Sequence, residues 1–231
     1  MKLSILIPTW NEAENLLWLL PRVLKVAASF GENHEIVVVD NDSRDGTAEV
    51  CRRAGVRCVS AGGRGYGRAL STGFAAAQGE YLLTMDADRS HPAEVIRTLW
   101  EGRHGADVVI ASRYAAGGKA DMSWIRLVLS RTLNSLFKAV LRVPVRDLSS
   151  GFRLYRREVV SAIAPTAIDF DILQEILIKA YTRGYRIREI PFRYHRRGSG
   201  SSHARLAVFG WQYLKTLLSM WRLRYSVRSG E

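Results

Sequence analysis

Asp86 and Asp88 close the apolar run LLTMDADRSH (Leu82–His91) with two carboxylates one residue apart. In an extended segment, side chains at i and i+2 point to the same side, so both can face one point in space. Two like charges held together require something positive between them. A divalent cation such as Mg2+ prefers carboxylate oxygens together with substrate phosphate oxygens and seldom sits in an all-protein cage. The pair therefore reads as a bracket for a metal and a diphosphate. The alternative is that one carboxylate caps the helix starting near Pro92 while the other is simply solvated.

Two other apolar runs end in residues suited to ligands. LSILIP (Leu3–Pro8) leads into PTWNE, and EIVVVD (Glu35–Asp40) leads into DNDSRDGT. A rim of carboxylates and hydroxyls suits a ribose, a base and a cation. GGRGYGRA (Gly62–Ala69) places glycines and two arginines ahead of a helical pattern, where free amide N–H groups could meet phosphate. It has neither the G-x-G-x-x-G spacing of a dinucleotide fold nor the G-K-[ST] of a P-loop, and a plain turn is the alternative reading.

These rims need a sheet to hold them. LSILIP and EIVVVD are short, β-branched and nearly continuous in apolar residues, as strands buried on both faces are. Between them, Leu16, Leu17, Leu20, Val23, Leu24 and Ala27 recur at helical spacing over Glu12–Phe30. Further strands are expected at RCVSA, EYLLTMD and DVVIASR, and helices at Thr47–Ala54, Gly67–Ala77 and Pro92–Glu101. A βαβ series of this kind builds a parallel sheet with right-handed crossovers, and such sheets bind ligands at the carboxyl ends of their strands.

With 231 residues, 47% of them hydrophobic and 24% charged, the chain suits one sizeable α/β domain and excludes a disordered protein. The net charge of +12 is uneven. Residues 1–112 carry 12 Lys/Arg against 14 Asp/Glu, residues 113–182 carry 11 against 6, and residues 183–231 carry 11 against 2. The second half therefore seeks anions: nucleic acid, an anionic membrane or a phosphorylated substrate. Cys51 and Cys58 are the only cysteines and read as reduced structural thiols. The apolar core of MKLSILIPTWNE is too short for a signal peptide, and no uninterrupted apolar run of about 18 residues suggests a membrane span.

The ordered motifs PTWNE, VVDNDSRDGT, MDADRSHP, ASRY, RDLSSGFRLYRREV, ILQEILIKAYTRGYRIREIPFRY and RRGSGSSH resemble family 2 of the glycosyltransferases. Within it the likeness is to the dolichol- or polyprenyl-phosphate mannose synthases. It runs through almost the whole chain. The resemblance implies a GT-A fold, an α/β architecture with a mostly parallel sheet, over residues 1–205. A nucleotide-sugar half (about 1–112) and an acceptor half (about 113–205) would make up that domain, followed by a C-terminal amphipathic segment at 206–231. It implies that Pro8, Glu12, Asp40, Asn41 and Asp86 hold the nucleotide sugar, and that Asp86 and Asp88 hold Mg2+ or Mn2+ with the diphosphate. It places Arg113, Arg126 and Ser130 at the acceptor phosphate, Arg197 and His203 on a basic loop closing over the donor, and catalytic roles at Asp88, Arg113 and Asp147. For Asp147 a helix cap or a structural salt bridge is the alternative. Three departures bear on the donor: Trp10 stands where Tyr is usual, Asn41 where a second Asp is common, and His203 where the closing loop carries Lys. The expected donor is GDP-mannose, with a UDP-sugar as the alternative.

The expected acceptor, a polyprenyl or dolichyl phosphate, is already an anion. Unlike a sugar hydroxyl it needs no general base. In-line attack of its oxygen on the anomeric carbon would invert that centre and release nucleoside diphosphate. The second half suits such a substrate. WIRLVLSRTLNSLFKAVLR (Trp124–Arg142) mixes cations with a broad apolar face, as an interfacial helix does, and Arg126 and Ser130 lie four apart on one face. LAVFGWQYLKTLLSMWRLRY (Leu206–Tyr225) repeats the theme, with Trp211 and Trp221 as anchors and Lys215, Arg222 and Arg224 for anionic lipid. Packing of both helices against the domain core is the alternative. The expected setting is peripheral, on the cytoplasmic face of a membrane with an anionic surface, with room for a separate membrane-anchoring partner. A soluble family member acting on small acceptors is a rival, as is a basic nucleic-acid-binding module. The latter leaves the acidic rims unexplained, so no nucleic-acid partner is expected.

Overall fold

The computed structural model describes residues 2–31, 33–196, 215–222 and 224–225. The first half runs β1 (Leu3–Thr9), α1 (Ala13–Ala28), β2 (His34–Asp40), α2 (Thr47–Arg53), β3 (Arg57–Ser60), α3 (Tyr66–Ala76), β4 (Tyr81–Thr84), α4 (Val95–Glu101) and β5 (Val108–Ser112). The second half adds β6 (Lys119–Ala120), α5 (Trp124–Leu141), β7 (Arg153–Arg156), α6 (Arg157–Ile163), α7 (Ile172–Thr182), β8 (Ile187–Pro191) and β9 (Arg193–Tyr194).

Seven strands form one sheet in the order β3-β2-β1-β4-β7-β5-β8, and β6 pairs with β9 in a separate two-stranded sheet. All neighbours in the large sheet are parallel except β7, which is antiparallel to both β4 and β5. The parallel part is what the βαβ periodicity of the first half requires. The reversal at β7 goes with a long-range contact. Arg113, just past β5, binds Asp147, so the chain re-enters the sheet from the carboxyl rim and must run back down.

Period-two alternation splits the core between the two faces of the sheet. Leu6, Val37 and Val39 point to one side, with Leu70, Phe74, Phe137, Leu141, Ile172 and Ile176. Ile5, Ile7, Ile36 and Val38 point to the other, with Leu16, Leu19, Leu20, Val23 and Leu99. Each fully buried side chain of this size contributes about 1.5–3 kcal/mol relative to exposure, which is why these strands tolerate almost no polar residue before their carboxyl ends.

Strand β4 stops two residues short of the aspartate expected to end it. The Met85 N–H still reaches the Leu6 carbonyl, but the Asp86 N–H leaves the ladder and binds the His91 imidazole. Residues 215–222 are helical, and Leu217 and Met220 join the core beside Phe137 and Leu141. Nearby, Arg224 Nε and the Tyr225 hydroxyl donate to the Leu141 and Val140 carbonyls. Among the described residues no helix is long and apolar enough to cross a membrane.

Candidate active site

The carboxyl ends of β1, β2 and β4 lie side by side in the sheet, so the three polar rims form one edge. Pro8 pairs with Val39 and Thr9 with Asp40 in the β1–β2 ladder. Asp40 accepts from Ser43 through the hydroxyl at 2.5 Å and the N–H at 3.2 Å, a turn that fixes its carboxylate at the mouth. Asn41 is buried; its N–H and its side-chain amide both donate to the Thr9 carbonyl, which ties the ends of β1 and β2 together. Its Oδ1 has no partner among the described residues. Glu12 precedes the first turn of α1 and receives the Asn15 amide, while its own N–H donates to Thr47. Asp45 closes this corner by accepting from the Ala13 N–H at 2.8 Å and the Thr47 hydroxyl at 2.6 Å. Burial pushes the Asp45 carboxyl up, but these donors outweigh it and hold the group below the usual carboxylate range.

Asp86 and Asp88 sit on the bend after β4. Asp88 is buried and accepts from the Ser90 N–H at 3.0 Å and the Ser90 hydroxyl at 2.5 Å. Asp86 is more open, with its side chain 32% exposed, and its Oδ1 accepts from the Tyr66 hydroxyl at 3.1 Å. His91 supports the bend: its Nδ1 accepts the Asp86 N–H at 2.9 Å, and its ring stacks on Phe152 at 4.7 Å. Both carboxylates act on one phenol, Tyr194, whose pKa is pushed up first by burial and then by the charge of Asp88 and, more weakly, of Asp86. The two acids are thus close enough to Tyr194 for their charges to bear on the same phenol. Among the described residues, no group of three or more His, Cys, Asp or Glu is placed to hold a metal. Two hard carboxylates with room for substrate oxygens are nevertheless a fitting donor set for Mg2+ or Mn2+.

Across the rim, Arg113 and Asp147 form a bidentate pair, Nε to Oδ2 at 2.8 Å and Nη2 to Oδ1 at 2.6 Å. Asp147 is fully buried and also takes the Arg113 N–H. Burial pushes its carboxyl up, but the adjacent guanidinium more than offsets this and holds it below the usual range. Arg113 Nη2 also reaches the Ser149 hydroxyl, and Asn134 on α5 links Ser149 to the Ser130 carbonyl. Ser130 Oγ accepts from the Tyr114 hydroxyl at 2.6 Å. One network thus joins Arg113, Asp147 and Ser130. Arg126 is exposed on α5, one turn before Ser130.

Residues 4–164 match the model of Glycosyl transferase family 2. The chain belongs to this family. It is 38% identical over 214 residues to a dolichol-phosphate mannosyltransferase of Pyrococcus furiosus, covering 87% of this chain and 59% of that protein. It is 34% identical over 222 residues to a polyprenol monophosphomannose synthase of Mycolicibacterium smegmatis, covering 86% of this chain and 79% of that one. Among solved structures, glucosyl-3-phosphoglycerate synthase of Mycobacterium tuberculosis in complex with Mn2+, UDP and glucosyl-3-phosphoglycerate superposes with a TM-score of 0.75 at 20% identity. The superposition covers 95% of this chain and 79% of that one. That likeness establishes the GT-A fold.

Within this family 2 domain, the structure brings Pro8, Glu12, Asp40, Asn41, Asp86 and Asp88 to one edge. It gathers Arg113, Asp147 and Ser130 in a second cluster, with Arg126 on the same helix as Ser130. Arg197 and His203 lie outside the described residues, as does Trp211. Motif reading passed over Asp45, Tyr66, His91, Tyr114, Asn134 and Ser149. Asp45, His91, Tyr114 and Ser149 lie inside the family motifs, and their closeness in sequence to Asp40, Asp86, Arg113 and Asp147 is the available signal. It also passed over Arg153, a fully buried guanidinium donating to the Leu173 and Leu148 carbonyls at 2.7 Å each. It lies within RDLSSGFRLYRREV between Phe152 and Leu154, but its partners are main-chain carbonyls that no motif names.

Proposed function

We propose that this chain transfers a mannosyl group from a nucleotide sugar, GDP-mannose in the first instance, to a polyprenyl or dolichyl phosphate. An acceptor phosphate oxygen attacks the anomeric carbon from the face opposite the leaving group. The new P–O–C1 linkage forms as the bond from C1 to the donor diphosphate breaks, and its electron pair leaves with the nucleoside diphosphate. Configuration inverts, and no hydroxyl proton has to be removed.

The observation that carries this reading is the chemistry of the acceptor side. Asp147 is sealed and locked to Arg113, so it is unsuited to act as a base and acts instead as a positioning group for that guanidinium. Beside it, α5 leaves Trp124, Ile125, Val128, Leu129 and Leu136 exposed, interleaved with Arg126, Arg131 and Lys138. A lipid bearing a phosphate satisfies both features at once. The names of the two curated relatives support the same substrate class.

Asp86 and Asp88 would hold Mg2+ or Mn2+, which when bound neutralises charge on the departing diphosphate. Asp40 and Asn41 face the nucleoside, Glu12 supports that corner, and Arg113, Arg126 and Ser130 receive the acceptor phosphate. Arg197 and His203 belong, in this reading, to a loop that covers the donor. The enzyme would work peripherally at the cytoplasmic face of an anionic membrane, each basic residue near the surface adding about 1 kcal/mol. A separate anchoring protein is compatible with it.

The test is a donor panel of GDP-mannose, UDP-glucose and other UDP-sugars offered with a polyprenyl phosphate, following radiolabel into the organic phase. GDP-mannose should give the highest rate. Asp86→Asn and Asp88→Asn should each lower turnover by about a thousandfold with the fold intact, and chelation should do the same to the native chain. Full turnover in excess EDTA would remove the metal from the mechanism, and label that stays in the aqueous phase with every donor would remove the lipid acceptor.

A further inference from the structure

Tyr66 opens α3 at the end of the glycine-rich segment, yet its side chain reaches across to the bend after β4. The phenol donates to Asp86 Oδ1 at 3.1 Å. The hydroxyl is wedged in place: a Cβ on Gly151 would collide with it and would come within 3.4 Å of Asp86 Oδ1. The Gly151 backbone is itself pinned, since its carbonyl accepts from the Thr84 hydroxyl at 2.7 Å.

The ring is held from the second half of the chain. Phe170 stacks on Tyr66 with centroids 4.5 Å apart and planes 15° from parallel. The segment carrying Phe170 docks onto the start of α3, where the Arg68 N–H donates to the Ile168 carbonyl at 3.1 Å. A Cβ on Gly67 would strike the backbone of residues 167–169, so glycine there is what lets the segment approach. Asp86 is thus gripped at its N–H by His91 and at one carboxylate oxygen by Tyr66.

We infer that Tyr66, backed by Phe170, is a positioning residue that sets the orientation of the Asp86 carboxylate for the divalent cation and the donor diphosphate. This rests on the metal–diphosphate role proposed above for Asp86. A carboxylate with one oxygen tethered cannot turn about its Cβ–Cγ bond without breaking that hydrogen bond, so its second oxygen is presented in one direction. The same contact makes donor-site geometry depend on a segment of the acceptor half.

Loss of such an outer partner typically weakens metal binding by about 10- to 100-fold. The test is a titration of Mn2+ into the whole chain in the presence of GDP, following free Mn2+ by electron paramagnetic resonance, for the native protein, Tyr66→Phe, Phe170→Ala and Asp86→Asn. Tyr66→Phe keeps the ring and its stack and removes only the hydroxyl. It should bind Mn2+ about tenfold or more weakly with an unchanged melting temperature, and excess Mn2+ should restore most of its turnover. Phe170→Ala should shift affinity in the same direction by less. Native Mn2+ affinity in Tyr66→Phe, beside loss of binding in Asp86→Asn, overturns the inference and leaves the metal bracket standing. Native affinity in Asp86→Asn overturns the bracket, and the role of Tyr66 falls with it.

Discussion

The proposed donor edge and the proposed acceptor side hold their charged groups in opposite ways. At the proposed donor edge, three carboxylates are fixed by partners two or three residues away, Asp40 by Ser43, Asp45 by Thr47 and Asp88 by Ser90, while Asp86 is held from 20 residues off by Tyr66. On the acceptor side, Arg113 meets Asp147 and Ser149 across 34 and 36 residues, and the Asp147 N–H donates to Glu189 across 42. Turns that close within three residues form wherever the strand ends, independently of how distant elements pack. Pairs assembled from β5, α5, the segment before β7 and β8 exist only once those elements have packed. The first arrangement makes a site that tolerates local damage, and the second makes one whose binding groups are also part of what holds the fold.

Breaking the Arg113–Asp147 pair should therefore have the largest effect on stability. Asp147→Ala leaves a guanidinium that is 11% exposed without its partner, and unfolding free energy should fall by about 3–5 kcal/mol in a denaturant titration. Asp147→Asn allows a pH check. The folded carboxyl lies below its ordinary value of 3.8, so the pair stabilises the native protein fully above about pH 4 and loses that contribution as pH falls through the depressed value. The native chain should lose stability on that acid limb more steeply than Asp147→Asn. Parallel acid profiles would show that the pair adds nothing.

An intermediate effect is expected at Arg126, which lies on the exposed face of α5 and makes no hydrogen bond or ion pair among the described residues. Arg126→Ala should cost about 10- to 100-fold in turnover, as loss of a charged hydrogen bond to phosphate does. The loss should persist in detergent with a short polyprenyl phosphate. If it appears only with liposomes, Arg126 docks the protein on lipid and the acceptor phosphate sits elsewhere on the network.

The smallest effect should come from the donor corner. Asp45→Ala removes the acceptor for the Ala13 N–H and the Thr47 hydroxyl, a capping loss of about 1 kcal/mol and a melting temperature lower by about 2–4 °C. A drop as large as that of Asp147→Ala would erase the contrast between the two regions.

Strands β1 and β2 were legible because their apolar runs are nearly continuous, and α5 was legible because Trp124–Arg142 carries its pattern over five turns of helix. The Asp86/Asp88 pair stood out because two carboxylates end an apolar strand. The antiparallel β7, in contrast, has the same kind of residues as a parallel strand, and RLYR does not encode its direction. Buried Arg153 and the Tyr66–Asp86 contact were hidden for a related reason. Each depends on residues at least 20 positions away or on main-chain carbonyls of another element.

The amino-acid sequence by itself determined the family, the alternation of strand and helix in the first half, and the carboxylates that line its rim. These follow from local periodicity, short-range turn chemistry and ordered motifs. Tertiary structure decided that Asp147 is spent on Arg113, that His91 and Tyr66 grip Asp86 from opposite segments, and that Gly67 and Gly151 must lack a side chain. Such facts arise from close approach between distant pieces of backbone, which no residue specifies until the sheet has brought both pieces to the same edge.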